Sequence, residues 1–128
     1  MWTPAIAAHF DAASDIAGED GGIVSAPTAV AIVGIESHIC VTQTALDLIA
    51  LGHPVYVIAD GVSSCNREEV PIALARLRAE GAVVTTSESF IYEVMGDAAI
   101  PEFKTLAGLV KETGPDTRAA LQGLLSKM

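Results

Sequence analysis

Positive charge is scarce in this chain. Seven Lys and Arg face sixteen Asp and Glu, for a net charge of -9, and no Lys or Arg precedes Arg67. Binding to nucleic acid by neutralising phosphates needs clustered basic side chains, and so does adsorption to an anionic membrane surface. Neither partner is expected. Cysteine is scarce too. Cys40 and Cys65 are too few for a disulfide scaffold, which favours a reducing compartment. The three histidines, His9, His38 and His53, hold no metal-ligand spacing, so no metal is expected. No Gly-x-Gly-x-x-Gly or phosphate loop occurs, so no nucleotide cofactor is expected. No apolar run reaches the roughly 20 residues of a membrane span. The start, Met1-Trp2-Thr3-Pro4, lacks the basic segment and apolar core of a secretory signal. The expected location is the cytoplasm.

What is present is apolar: 51% of 128 residues, enough to build a core in one domain. Thr3-Pro4 reads as a helix start, with Thr as cap and Pro in the first helical position. The helix would run over residues 4–14 with Ile6, Phe10 and Ala13 on one face. Residues 15–28 are rich in Gly, Asp, Ser and Pro and read as a long loop. Residues 1–28 thus form an N-terminal helix and loop.

From Ala29 the pattern becomes regular. Residues 29–35 are a continuous apolar run, expected as a strand buried on both faces. Residues 38–51 follow as a helix with Val41, Ala45, Leu48 and Ile49 inward, closed by Gly52. Pro54 to Ala59 is a second strand, broken by Asp60-Gly61. Asn66 and Glu69 have the spacing of a capping box, with Pro71 in the first turn of a helix that reaches Glu80. Residues 82–86 are a third strand, and Ser87 to Met95 a helix with Phe90, Ile91 and Val94 buried. Pro101 opens another helix, with Phe103, Leu106, Leu109 and Val110 inward. Gly114-Pro115 stops it, and Asp116 caps a last helix, so residues 112–128 form a C-terminal helical tail.

Apolar strands alternating with helices predict an α/β fold with a parallel sheet. Ligands of such sheets bind beyond the carboxyl ends of the strands. Glu36 to Cys40, Asp60 to Ser64 and Thr85 to Glu88 fall there. Cys40 stands out, because it sits where a strand gives way to a helix. A helix N-terminus carries partial positive charge and unpaired N–H groups, which favour a thiolate and can hold an oxyanion. By position alone, Cys40 is equally well a small buried residue. Glu36 reads either as a general base or substrate contact, or as a carboxylate paired in a turn. His38 reads as a proton-transfer group or as a pocket-lining residue at the helix start. Asp60, Ser63 and Ser64 serve substrate contact or turn formation equally well. Cys65 lacks the context of Cys40 and reads as structural. Three strands are few for a parallel sheet, and the first would present an unpaired edge. A missing segment or a partner chain, most simply a second copy in a homo-oligomer, is expected to cover it.

Val33-Gly34-Ile35-Glu36-Ser37-His38-Ile39-Cys40-Val41-Thr42-Gln43-Thr44-Ala45-Leu46-Asp47-Leu48 resembles the isochorismatase-like cysteine hydrolases, in particular the isochorismatase domain-containing subgroup. Asp60 to Ser64, Ala73 to Leu77 and Gly81 to Glu88 extend the resemblance, which covers residues 29–111. It implies a three-layer α/β/α fold and hydrolysis of a small molecule, commonly at a C–N amide-type bond. It implies Cys40 as nucleophile, with Ile35, Glu36, Ser37, His38 and Ile39 around the oxyanion and substrate. The N–H groups of Ile39 and Cys40 become candidate oxyanion donors, and a non-proline cis peptide would fall at Ile35-Glu36. The family's Asp and Lys have no counterpart here. Asp11 and Asp15 match no family motif, and Met1 coincides with the Met of the family's Lys-x-x-Phe-Ser-Met. The resemblance therefore implies the C-terminal half to two-thirds of such a hydrolase. Two outcomes follow: a longer active enzyme, or a non-catalytic family member acting through oligomerisation or partner binding. A doubly wound binding domain of another family is the remaining alternative.

Overall fold

The computed structural model describes residues 3–13, 15–17, 23–25 and 27–125. Met1 and Trp2 lie outside them. Helix α1 spans Pro4–Ala13. Thr3 caps it, its Oγ1 accepting the Ile6 N–H at 3.4 Å and its carbonyl the Ala7 N–H at 2.9 Å. Residues 15–28 are not wholly a loop. Strand β1 (Asp15–Ala17) pairs antiparallel with β2 (Ile23–Ser25). Ile16 and the Ile23-Val24 pair supply β-branched side chains on either side of a Gly-rich stretch.

The main sheet is parallel and has the order β3-β4-β5, formed by Val30–Ile35, Val55–Ser63 and Val83–Thr85. Strand β4 is central, and β3 and β5 are edges. Helix α2 (Thr42–Ala50) links β3 to β4, and α3 (Glu69–Ala79) links β4 to β5. Val55 and Val57 pack with Val41, Ala45, Leu48 and Leu77 on the α2–α3 side. Tyr56 lies between them in sequence, so its side chain emerges on the opposite face. There its ring packs at a tilt against Phe90 of α4 (Ser87–Met95), with centroids 5.2 Å apart. The result is a three-layer α/β/α arrangement.

Both connecting helices end in a Schellman motif. After α2, the Gly52 N–H bonds the Ile49 carbonyl at 2.9 Å and the His53 N–H the Leu48 carbonyl at 3.0 Å. After α3, Gly81 and Ala82 repeat the pattern on Arg78 and Leu77, at 3.2 and 3.0 Å. Gly52 and Gly81 take φ of +83° and +103°, a backbone that L side chains avoid.

Further expectations change. Strand β3 is not buried on both faces: Ile32 alone is buried, while Val33 and Ile35 are 63% and 61% exposed. It is an edge strand of the described sheet, and every residue from Val33 to Ile35 is exposed. Strand β4 is not broken at Asp60-Gly61. The register runs Val30–Val55, Ile32–Val57, then Gly34–Val62, so β4 absorbs extra residues in a bulge. Gly61 fits this crowded point, since a Cβ there would fall 2.8 Å from Val33 Cγ1. The capping box at Asn66 does not form. Glu68 is the N-cap of α3 and makes no side-chain cap, while the Asn66 backbone carbonyl takes the Glu69 N–H at 3.1 Å. Finally, Gly114-Pro115 does not stop a helix. Helix α5 is continuous over Phe103–Leu125 with Pro115 inside it. Half-buried Leu106, Val110, Gly114, Thr117 and Leu121 recur at helical spacing through that point, so packing overrides the local stop. The inward positions read for these last helices also loosen. No residue of α4 is fully buried, and Val94 and Leu109 are among the exposed large apolar side chains.

Candidate functional site

The site is built where β3 and β4 end side by side. After Ile35 the chain passes through a cis peptide to Glu36, which stays extended. It then enters a π-helical turn, Ser37–Val41, that runs directly into α2. The Glu36 carbonyl accepts the N–H groups of Ile39 and Val41, both at 3.2 Å. The wide turn is pinned by the Thr42 hydroxyl, which donates to the Ser37 carbonyl at 2.7 Å. Cys40 lies exposed on this turn. The N–H of Ile39, a candidate oxyanion donor, is already engaged by Glu36. The side chains of Ile35 and Ile39 are exposed and apolar. Ser37 is buried, and its hydroxyl finds no partner among the described residues.

Glu36 is the hub. Its carboxylate accepts the Cys65 N–H at 2.8 Å and the Ser64 hydroxyl at 2.9 Å. The Cys65 amide first, then the Ser64 hydroxyl, holds its pKa below the usual carboxylate value. The Ser64 Oγ also lies 3.1 Å from His38 Nδ1 and accepts the Asn66 N–H at 3.1 Å. His38 Nδ1 is 3.9 Å from Glu36 Oε2. Glu36, His38, Ser64 and Cys65 therefore form one hydrogen-bonded cluster, a quarter or less exposed at the Glu36 and His38 side chains.

Asp60 serves another purpose. Its carboxylate takes the Ser87 N–H at 2.8 Å and the Ser87 hydroxyl at 2.5 Å, tying β4 to the start of α4. His53 is structural: its Nδ1 accepts the Thr28 N–H at 3.2 Å and its ring packs against Phe10 at 5.0 Å. Cys65, expected as structural, sits exposed in the site and contributes its amide to it. The linkage of Ser64 to His38 and Glu36 was missed, because its members come from two strand ends far apart in sequence. A small cleft of about 120 Å³ opens beside His38, lined by Thr42, Glu69, Ile72, Ala73 and Arg76. A cavity of about 210 Å³ lies beyond β4, lined in part by Asp60, Ser63, Arg67 and Leu124. Among the described residues, no group of three or more His, Cys, Asp or Glu side chains is placed to hold a metal ion. No helix among them is long and apolar enough to cross a membrane.

Residues 23–89 match the Isochorismatase domain. The chain belongs to the isochorismatase family. It is similar to isochorismatase domain-containing protein 1 of Salmo salar, with 40% identity over 99 residues, which are 77% of this chain and 33% of the relative. It is 43% identical over 88 residues to isochorismatase domain-containing protein 2 of Bos taurus, covering 69% of this chain and 43% of that one. A solved structure titled MAR1 ribonuclease, from Caenorhabditis elegans, superposes with a TM-score of 0.62 at 38% identity, over 65% of this chain and 43% of that one. The chain thus spans a third to under half of the length of these relatives. In this isochorismatase-family chain, the matched region holds β3, the Cys40 turn, α2, β4, α3 and β5.

Proposed function

We propose that this chain carries the nucleophile of a cysteine hydrolase acting on a small molecule, with Cys40 as that nucleophile. The observation that carries this reading is the place of Cys40. It is an exposed thiol on the first turn after β3, at the carboxyl end of a parallel sheet, in a family of hydrolases. The favoured substrate has a C–N amide-type bond. The thiolate would attack the carbonyl carbon, the amine would leave with a proton, and water would cleave the thioester, so that amide and water become acid and amine. The Asp and Lys that the resemblance implies have no counterpart in this sequence, and the reading concerns the nucleophile alone. Two free cysteines fit a reducing, cytoplasmic setting. The ribonuclease title of one similar structure raises RNA as a substrate, but a net charge of -9 favours a small molecule instead.

Reaction with iodoacetamide followed by peptide mapping, and a burst assay with an activated p-nitrophenyl ester, test this reading. Cys40 should react faster than Cys65, and Cys40→Ser should abolish the burst. Equal reactivity of the two thiols with no Cys40-dependent burst would refute it. A second reading, association without catalysis, is favoured by the β3 edge, which pairs with no further strand among the described residues, and by exposed Val33 and Ile35. Homo-oligomerisation through that edge would appear as a concentration-dependent mass in sedimentation, and Val33→Lys would abolish it.

A further inference from the structure

We propose that the cavity at the carboxyl end of β4 binds a small organic acid, with its carboxylate on Arg67 and a single ring or branched alkyl body on the apolar wall. The site is separate from the Cys40 turn, with which it shares no lining residue. It does not rest on the hydrolase reading.

Three elements enclose the cavity. Strand β4 supplies Val62 and Ser63, the start of α3 supplies Val70 and Pro71, and the last turns of α5 supply Ala120 and Leu124. Parallel sheets take their ligands beyond the carboxyl ends of their strands, which is where this space lies. An apolar cavity of about 150 Å³ holds a benzene ring. The volume of about 210 Å³ therefore has room for a ring and a carboxylate. Arg67 stands just before α3, and its side chain crosses to α5. A Cβ at position 123 would fall 3.1 Å from Arg67 Nη2, so the guanidinium uses space that Gly123 leaves open.

Charge selects the ligand. The chain has sixteen acidic residues to seven basic ones, yet the Arg67 guanidinium has no ion-pair partner among the described residues. Asp60 lines the same cavity, but Ser87 holds both of its oxygens, and neither comes within ion-pair distance of Arg67. Arg67 is exposed and permanently charged, so its donors are open to a ligand. A planar guanidinium beside an apolar wall is complementary to a carboxylate, which it engages through two parallel hydrogen bonds. Phosphate is served less well, because it is held at a helix start by several converging N–H groups. Those of α3 are occupied: Glu69 and Val70 donate to the Asn66 and Arg67 carbonyls at 3.1 and 3.2 Å, and Pro71 has no N–H.

Titration of the 15N-labelled chain with benzoate, followed in 1H–15N correlation spectra, tests the site. The amides of Ser63, Arg67, Val70 and Gly123 should shift together and saturate in the millimolar range, as suits so small a ligand. Arg67→Gln should weaken benzoate about fivefold, between the effect of an exposed ion pair and that of a desolvated bidentate one. Benzyl alcohol, which keeps the ring and lacks the charge, should bind about as much more weakly. Ala120→Leu, which fills the apolar wall and keeps the cation, should abolish saturation. Inorganic phosphate should give no saturable shift at these amides. Unchanged benzoate affinity in Arg67→Gln, or benzyl alcohol binding as tightly as benzoate, overturns the role of the cation. Undiminished binding in Ala120→Leu, or phosphate binding as tightly as benzoate, leaves only a surface anion contact and overturns the cavity site. Benzoate shifts that never saturate overturn it as well. Arg67 has no ion pair to lose among the described residues, so its replacement leaves the fold intact and decides the matter even if Ala120→Leu is unstable.

Discussion

Truncating Leu48 to Ala probes the packing that holds the Cys40 turn in place. Leu48 is 1% exposed and lies on α2, the helix into which that turn runs. Its neighbours in the core include Val41, Val55, Val57 and Leu77. The substitution removes roughly three methylene equivalents, each contributing about 0.8 kcal/mol when buried. That transfer loss is about 2.4 kcal/mol. The space left behind adds about 24 cal/mol per Å³ wherever neighbours fail to close in. The expected total is roughly 3–5 kcal/mol. A chain of this size has a stability on the order of 6–19 kcal/mol, so the variant should still fold. With a urea slope of about 1–3 kcal/mol/M, the midpoint should fall by roughly 1–5 M, followed by far-UV circular dichroism. Leu109→Ala is the control: Leu109 is 48% exposed on α5, and its loss should cost under about 1 kcal/mol. Equal midpoints for the two variants would refute the packing described for α2 against β3 and β4.

Glu36→Gln tests the hub by pH. Because the folded-state pKa of Glu36 lies below its ordinary value, its contribution is present above about 4.5 and is lost as pH falls through the lower folded value. The stability gap between wild type and Glu36→Gln should thus be largest at neutral pH and close in that acidic window; a pH-independent gap in thermal melts would contradict it. Tyr56 donates its hydroxyl to Glu93 Oε1 at 3.0 Å, and that bond, then the charge of Glu93, raises its pKa above 10.0. The contribution is present below the ordinary tyrosine value and lost as pH rises through the raised one, so Glu93→Gln should move the Tyr56 phenolate absorbance step to lower pH. Pro115 lies inside α5 with no N–H to give to the preceding turn. Pro115→Ala should raise helical ellipticity and stabilise by up to about 3 kcal/mol; a fall in ellipticity would mean the helix is not continuous there.

Much of the scaffold was legible in the chain. The apolar runs of β3, β4 and β5, the helical spacing of Val41, Ala45 and Leu48, and the glycines at 52 and 81 each carry a local signal. Such signals act over one or two turns, which is why the order of strands and helices could be read without coordinates. Cys40 was legible for the same reason, because its place at a strand-to-helix passage is a property of neighbouring residues. The resemblance blocks supplied the family, and the match over residues 23–89 shows it.

The rest depended on which surfaces meet. The apolar run of β3 reads as doubly buried, but burial is decided by neighbours, and β3 is an edge. Gly114-Pro115 reads as a stop, but the half-buried stripe of α5 continues through it. The same holds at the site. Residue types alone leave Glu36 as base or bystander, His38 as proton-transfer group or lining, and Ser64 as turn or contact. Only the side-by-side ends of β3 and β4, brought into register across the bulge at Asp60-Gly61, join them into one hydrogen-bonded cluster. Local sequence determined where a strand ends and a thiol is displayed, because that needs only short-range sterics and periodicity. Tertiary structure decided which side chains gather at that strand end, because a hydrogen bond between residues 28 positions apart exists only once the two strands lie together.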